Sequence, residues 1–354
     1  MVTGPFVVDN LTSLDAADIA AEITDSAYEY DLIIAAHSVE SRSVQIPQIV
    51  QTSGAVKLAF STALPALSTD LTTVAESNKK RLIKSGFAVE DLSSERIDQI
   101  IHDCADKTVG NIRAFVDVTC LPRRAIADVL CALATTTSRG RKIELALGYT
   151  LARYSPPSSH PLAANKRVAP VHPMLAGWTD RSKLPVTSVV GLGYEKGKAL
   201  GAVEYLQANS AASFLFLPSS PEQRFRPKVE RHNLALIKAV GPAKKIDYDV
   251  IMPVHTLLMM DSLVAAIKRS RKPVLLPFGP KIFFALSVLV GLAHQEAAVW
   301  YVSGEEDEPP ENRAPTPYSF ALRCNVSCKP AESTALVEPE ISISSFNDGA
   351  SVNA

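Results

Sequence analysis

Leu32-Ile-Ile-Ala-Ala-His-Ser-Val-Glu-Ser-Arg42 and Ser188-Val-Val-Gly-Leu-Gly-Tyr-Glu-Lys-Gly-Lys198 are the two stretches on which the fold turns. Each is a short apolar run that breaks into a turn and reaches a glutamate, Glu40 in the first and Glu195, 155 positions later, in the second. Apolar residues at helical spacing follow both: Val44, Ile46, Ile49 and Val50, then Ala199, Leu200, Val203 and Leu206. A buried run passing through a turn into a period near 3.6 reads as a strand feeding a helix.

Three further blocks recur in the same order. Val56-Lys-Leu-Ala-Phe60 and Phe214-Leu-Phe-Leu217 read as strands, each leading into a helix with Glu and then Leu-Ile-Lys, at Glu76 to Lys84 and Glu230 to Lys238. Ala114-Phe-Val-Asp-Val118 and Val274-Leu-Leu276 precede apolar helices that open on Pro122-Arg123 and Pro280-Lys281. Ile143 to Tyr149 and Ala297 to Tyr301 read as the closing strands. Four matched blocks at offsets of 152 to 158 indicate an internal duplication. Alternating strands and helices predict an α/β fold of two tandem Rossmann-like halves, each a doubly wound, mainly parallel sheet.

The expected boundaries are an N-terminal arm over 1–27, a first half over 28–154, a Pro-rich connecting arm over 155–185, a second half over 186–328 and a flexible tail over 329–354. In the first arm, Asn10 to Ile23 reads as a capped amphipathic helix with Asp15, Asp18 and Glu22 on its polar face. The connecting arm holds six prolines, and its Trp178 is expected to pack.

Of the 354 residues 47% are hydrophobic and 21% charged, and the net charge of −1 removes any bulk attraction to nucleic acid or an anionic membrane. The longest apolar stretch, Ile282 to Ala293, is too short to span a bilayer. With no basic, apolar leader pattern at the start, a cytoplasmic location and no membrane association are expected. Five cysteines, an odd number in mostly apolar surroundings, read as free thiols, and no spacing among them supports a metal.

In open α/β sheets ligands sit beyond the carboxyl ends of the strands. The residues there carry the chemistry. Gly191-Leu-Gly193-Tyr-Glu-Lys-Gly197 follows a strand and opens a helix, the context in which backbone approaches a phosphate. Its spacing is one residue longer than the dinucleotide fingerprint, and the next strand ends Leu217-Pro-Ser-Ser without an acid, which argues against NAD. Arg224 leaves a 2′-phosphate contact, and so an NADP-type cofactor, as a remoter reading. Arg123 and Lys281 stand at the start of matching helices, where a cation opposes the helix dipole. Either an anion bound there or a salt bridge, with Asp117 or Glu40 as partner, accounts for both. The expected phosphate-binding set is Arg42, Arg123, Arg124, Gly191, Gly193, Lys198, Arg224 and Lys281. Glu40, Asp117 and Glu195 are the acid/base candidates. Caps and dipole partners account equally well for Glu40 and Glu195.

Glu40-Ser-Arg42, together with Arg113 to Arg124 and its Pro-Arg-Arg, resembles uncharacterised tandem Rossmann-like proteins encoded beside bacterial anti-phage defence genes. The resemblance spans about 28–325 and brings no catalytic residue with it. It implies a component of a larger defence assembly. The expected function is binding of a nucleotide or a nucleic-acid phosphate in the cleft between the halves. The alternative is a hydrolase or transferase acting on a nucleotide or nucleoside. A protein partner or a second copy of the chain is expected, with nucleic acid as a further candidate.

Overall fold

The computed structural model describes residues 6–25, 29–50, 55–61, 68–137, 140–156, 167–177, 183–208, 212–303 and 311–329. The chain opens with β1 (Phe6–Asp15) and α1 (Ala16–Thr24). The first half then runs β2 (Leu32–His37), α2 (Gln45–Ile49), β3 (Val56–Ser61), α3 (Thr69–Lys84), β4 (Ala88–Asp91), α4 (Ser94–Lys107), β5 (Ile112–Asp117), α5 (Arg123–Thr136) and β6 (Lys142–Ala152). After β7 (Arg167–Pro170) the second half repeats the plan. It comprises β8 (Val186–Gly191), α6 (Lys198–Tyr205), β9 (Phe214–Ser219), α7 (Phe225–His232), α8 (Leu234–Val240), β10 (Lys245–Asp249), α9 (Pro253–Ile267), β11 (Lys272–Pro277), α10 (Lys281–Ala293) and β12 (Ala298–Ser303). β13 (Pro315–Cys328) follows.

The protein is an α/β molecule of two tandem Rossmann-like halves. Parallel strands lie in the order β4-β3-β2-β5-β6 in one sheet and β10-β9-β8-β11-β12 in the other. Counted within each half, both are third, second, first, fourth, fifth. The chain reverses direction across the sheet between the first and fourth strands, and there a crevice opens at their carboxyl ends. The strands are apolar because helices cover them on both faces: β2 is buried along its whole length.

The fourth helix of each half is the exception to surface amphipathicity. Ala125 to Ala134 in α5 and Ile282 to Leu292 in α10 are buried without a break. A helix apolar on every side belongs inside a molecule, and α5 and α10 pack against each other. One continuous apolar cluster runs from Val116 and Leu147 in the first half to Phe283 and Leu289 in the second. The halves therefore share a core, and each adds a smaller one of its own, around Val190 and Leu215 in the second half and Ile33 and Phe115 in the first. Gly191 admits this packing, since a Cβ there would lie 2.2 Å from the Phe283 ring.

Three features differ from the sequence reading. The stretch from Asn10 is strand up to Asp15, and the helix starts only at Ala16, with Asp15 as its cap and Asp18 closing the capping box. The connecting arm contributes β7, antiparallel to β12 at the edge of the second sheet. Residues 315–328, which the expected boundary places in the second half, form a strand the sequence did not reveal, β13, and it lies in the first sheet, between β1 and β6 and antiparallel to both. Trp178 and the tail from 330 lie outside the described residues. Cys104, Cys120, Cys131 and Cys324 are buried free thiols, and Cys328 is half-buried.

Candidate anion-binding cavity between the halves

The turns after β2 and β8 are held alike. Asn78 of α3 donates its carboxamide to the Ser38 carbonyl at 2.9 Å and the Glu40 carbonyl at 3.1 Å. Asn233, 155 positions on, donates to the Gly193 carbonyl at 2.9 Å and the Val229 carbonyl at 2.8 Å. Both amides are buried, so each bond fixes a turn that would otherwise leave polar groups unpaired.

Glu40 and Glu195 are presented by those turns. Glu40 accepts from Arg42 Nε at 2.6 Å. Burial pushes the Glu40 carboxyl up, but Arg42 and Lys281 outweigh it and the net shift is downward. Arg42 is 3% exposed and also donates to the Thr150 carbonyl at 3.0 Å and the Tyr149 hydroxyl at 3.3 Å. Its guanidinium thus fills the crevice of the first half. In the second half Gly197 stands 155 positions on, with φ of +76° and open space where a Cβ would go. The corresponding crevice stays clear.

A cavity of about 460 Å³ occupies that space. It lies beyond the carboxyl ends of β8, β9 and β11, lined by Leu192 to Glu195, Pro218, Ser220 and Leu276 to Lys281. Lys198, at the start of α6, and Phe225, Arg226 and Val229 from α7 add one wall, and Trp300 to Val302 of β12 another. The first half closes it with Arg42, Arg123, Tyr149, Arg153 and neighbours, and Arg313 joins from the segment before β13. The lining carries seven cations, Arg42, Arg123, Arg153, Lys198, Arg226, Lys281 and Arg313, against one carboxylate, Glu195.

The helix-start cations reach across the duplication. Arg123 Nη2 donates to the Gly279 carbonyl at 2.6 Å and lies 3.7 Å from Glu195 Oε1. Its acidic partner is therefore in the other half, not Asp117 or Glu40. Lys281, its counterpart, has no hydrogen bond or ion pair among the described residues. Burial holds its amine down at about 8; Cys120 and Glu40 pull it up, and Arg42 and Arg123 push it further down. Pro280 caps α10 without a side-chain hydrogen bond, so the first-turn N–H groups end at the same place.

Seven buried side-chain polar atoms among the described residues have no hydrogen-bond partner, and four belong to this lining: Arg123 Nε, Tyr194 Oη, Glu195 Oε2 and Trp300 Nε1. A buried polar atom left unpaired costs on the order of 1–3 kcal/mol. Such a concentration at one cavity marks it as built for something other than stability.

Of the residues singled out in the sequence, the fold brings Arg42, Arg123, Gly193, Glu195, Lys198 and Lys281 to this cavity. Arg124 is exposed elsewhere on α5. Gly191 is spent on Phe283. Arg224 is taken up by Glu222, with both contacts at 2.7 Å, and lies 5.1 Å over the Tyr154 ring. Asp117 is buried at the end of β5, accepts from the Thr119 N–H at 2.9 Å and lies outside the lining. Burial raises its carboxyl to about 6 against the pull of Thr119, Arg42 and Lys281. The sequence reading missed Arg153, Trp300, Tyr301 and Arg313. One signal pointed at this wall: Tyr149 and Tyr301 close the last strands of the two halves, 152 positions apart.

Among the described residues no group of three or more His, Cys, Asp or Glu is placed to hold a metal ion. No helix there is long and apolar enough to cross a membrane. No family model matches the chain, and no curated protein matches it. Among solved structures, the chain is similar to the cytoplasmic domain of a prokaryotic cation chloride cotransporter. The identity is 9%, the TM-score 0.22, and the match covers 80% of this chain and 98% of the other.

Proposed function

We propose that the protein binds a nucleotide in the cavity between its halves, with the phosphate at the start of α10 and the base toward Tyr194, Phe225 and Trp300. The observation that carries this reading is the lining itself: cations outnumber carboxylates even after Arg42 is paired with Glu40 and Arg226 with Glu230 and Asp247, and aromatic rings lie among them. Cations and helix-start N–H groups suit a phosphate. Aromatic faces suit a base. A volume of about 460 Å³ falls in the usual range for a small ligand, roughly 300–1,000 Å³, and favours a mononucleotide over a nucleic-acid strand.

Binding is favoured over catalysis by the state of the carboxylates. Glu40 is held by Arg42 and Asp117 lies outside the lining, which leaves Glu195 without a second carboxylate for an acid/base pair. The reading is tested by calorimetric titration of the purified protein with the 5′-monophosphates and triphosphates of adenosine and guanosine, with inorganic phosphate, and with a short single-stranded oligonucleotide. Saturable nucleotide binding, abolished in Arg123→Ala and Lys281→Ala, is the expected result. Tight binding of the oligonucleotide alone, or binding unaffected by either substitution, would overturn it.

A further inference from the structure

A carboxylate is out of place in a cavity made for a phosphate. Like charges repel across a low-dielectric space, so Glu195 weakens any anion bound beside it. Arg123 stands 3.7 Å from one of its oxygens, Oε1, too far for a hydrogen bond. The other, Oε2, is buried with no hydrogen-bond partner and keeps its full capacity to accept. The turn is bare on both counts: a Cβ on Gly193 would come within 2.2 Å of Oε2 and 2.5 Å of the Gly279 backbone nitrogen.

The position of Glu195 says which part of a ligand would supply the donor. Arg123, at the phosphate end, lies 3.7 Å from it. Its chain neighbour Tyr194 lines the same cavity, with its ring 5.5 Å from that of Phe225. In a nucleotide the group between phosphate and base is the sugar, and a ribose carries two adjacent hydroxyl donors. Resting on the nucleotide reading above, we infer that Glu195 accepts a hydrogen bond from a ribose hydroxyl and makes the cavity selective for ribonucleotides. The carboxylate costs some phosphate affinity and returns discrimination, because a ligand without the hydroxyls leaves the buried oxygen unpaired.

The test compares adenosine and guanosine 5′-monophosphates with their 2′,3′-dideoxy counterparts by calorimetry. The wild-type protein is expected to bind the dideoxy forms about 10- to 100-fold more weakly, the scale of one hydrogen bond to a charged group. In Glu195→Ala the two forms should bind within about twofold of each other, while inorganic phosphate binds at least as tightly as to wild type. Glu195→Gln, which keeps the shape, should show an intermediate ratio. Equal affinity of wild type for ribose and dideoxyribose forms would overturn the inference and leave nucleotide binding standing. Failure of every nucleotide to bind would overturn both.

Discussion

Arg123 and Glu195 come from opposite halves of the duplication, and their charged groups stand 3.7 Å apart in the wall of the shared cavity. The same arginine donates to the Gly279 carbonyl. One guanidinium therefore ties the start of α5 to the turns after β8 and β11, the two loops that flank the crevice of the second sheet. The counterpart contact is looser: Lys281 feels Glu40 electrostatically but forms no ion pair with it among the described residues. The duplication has kept its plan and divided its labour. One helix-start cation braces the two turns, and the other is buried without an ion pair among the described residues.

Binding should depend on pH through Lys281. Its amine is held down at about 8, first of all by burial, and a bound phosphate requires the charged form. AMP affinity is expected to be flat below pH 8 and to weaken above it by up to about tenfold per pH unit. Calorimetry between pH 6.5 and 9.5 reads this, and Lys281→Arg should flatten the profile. An unchanged slope in that variant would assign the titration to another group. The ligand-free protein also carries a cost. The unfolded chain binds the proton more tightly, so the penalty is complete below pH 8 and fades as pH rises toward the ordinary lysine value. Lys281→Met should accordingly raise stability at pH 7 by about 1–2 kcal/mol while removing nucleotide binding.

Asp117 makes a second, independent titration. Its folded carboxyl stands at about 6, above its unfolded value, because burial outweighs Thr119, Arg42 and Lys281. Stability should therefore decline as pH rises from about 4 to about 6, with the penalty complete at pH 7. Asp117→Asn keeps an acceptor for the Thr119 N–H. It is expected to stabilise the protein at pH 7 by about 2 kcal/mol and to bring little near pH 4. Urea melts of both proteins at the two pH values decide this.

Two glycines with positive φ should respond differently to alanine. Gly279 has φ of +80°, and its Cβ would lie 2.5 Å from the Leu192 carbonyl oxygen; Gly197, at +76°, meets nothing. Gly197→Ala should cost only the left-handed backbone penalty, about 1 kcal/mol. Gly279→Ala must also push apart the two turns that flank the crevice, and is expected to cost at least about 2–3 kcal/mol. Equal costs in a thermal melt would mean that the turns separate freely.

The paired amides offer a test of the duplication itself. Asn78→Ala and Asn233→Ala remove the donor from the Ser38 and Gly193 carbonyls, while the Glu40 and Val229 carbonyls keep a backbone N–H, and each should destabilise by about 1–3 kcal/mol. Asn233→Ala should in addition weaken AMP binding, since its bond to the Gly193 carbonyl fixes the turn that carries Glu195. Chemical denaturation and titration of the two variants side by side separate the effects.

The sequence revealed the central elements because burial imposes a pattern on them. β2, β5, β8 and β11 are mostly apolar runs, and α5 and α10 are mostly apolar after their first turns. The third strand of each half escaped. β4 reads Ala-Val-Glu-Asp and β10 reads Lys-Ile-Asp-Tyr-Asp, and sheet-edge strands facing solvent need no apolar run. β1 reads as helix because Asn10 mimics a cap several residues before Asp15, the true one. Half of the site was visible for a local reason, that glycines and cations at strand ends and helix starts stand out. Trp300, Arg153 and Arg313 did not stand out, because only tertiary folding carries β12, β6 and the segment before β13 to one wall.

The path of β13 decides the order in which the molecule can be completed. Its residues 315–328 pair with β6, whose last residue is 152, and with β1 near the N-terminus. At typical rates of synthesis the ribosome needs roughly 8–30 s to cover that interval. Throughout it β6 has an unpaired flank and β1 has no neighbour, the condition in which nascent sheets recruit the wrong strand. A gene cut at the sequence boundary near 154 would leave that condition permanent. The half that is made first is finished last.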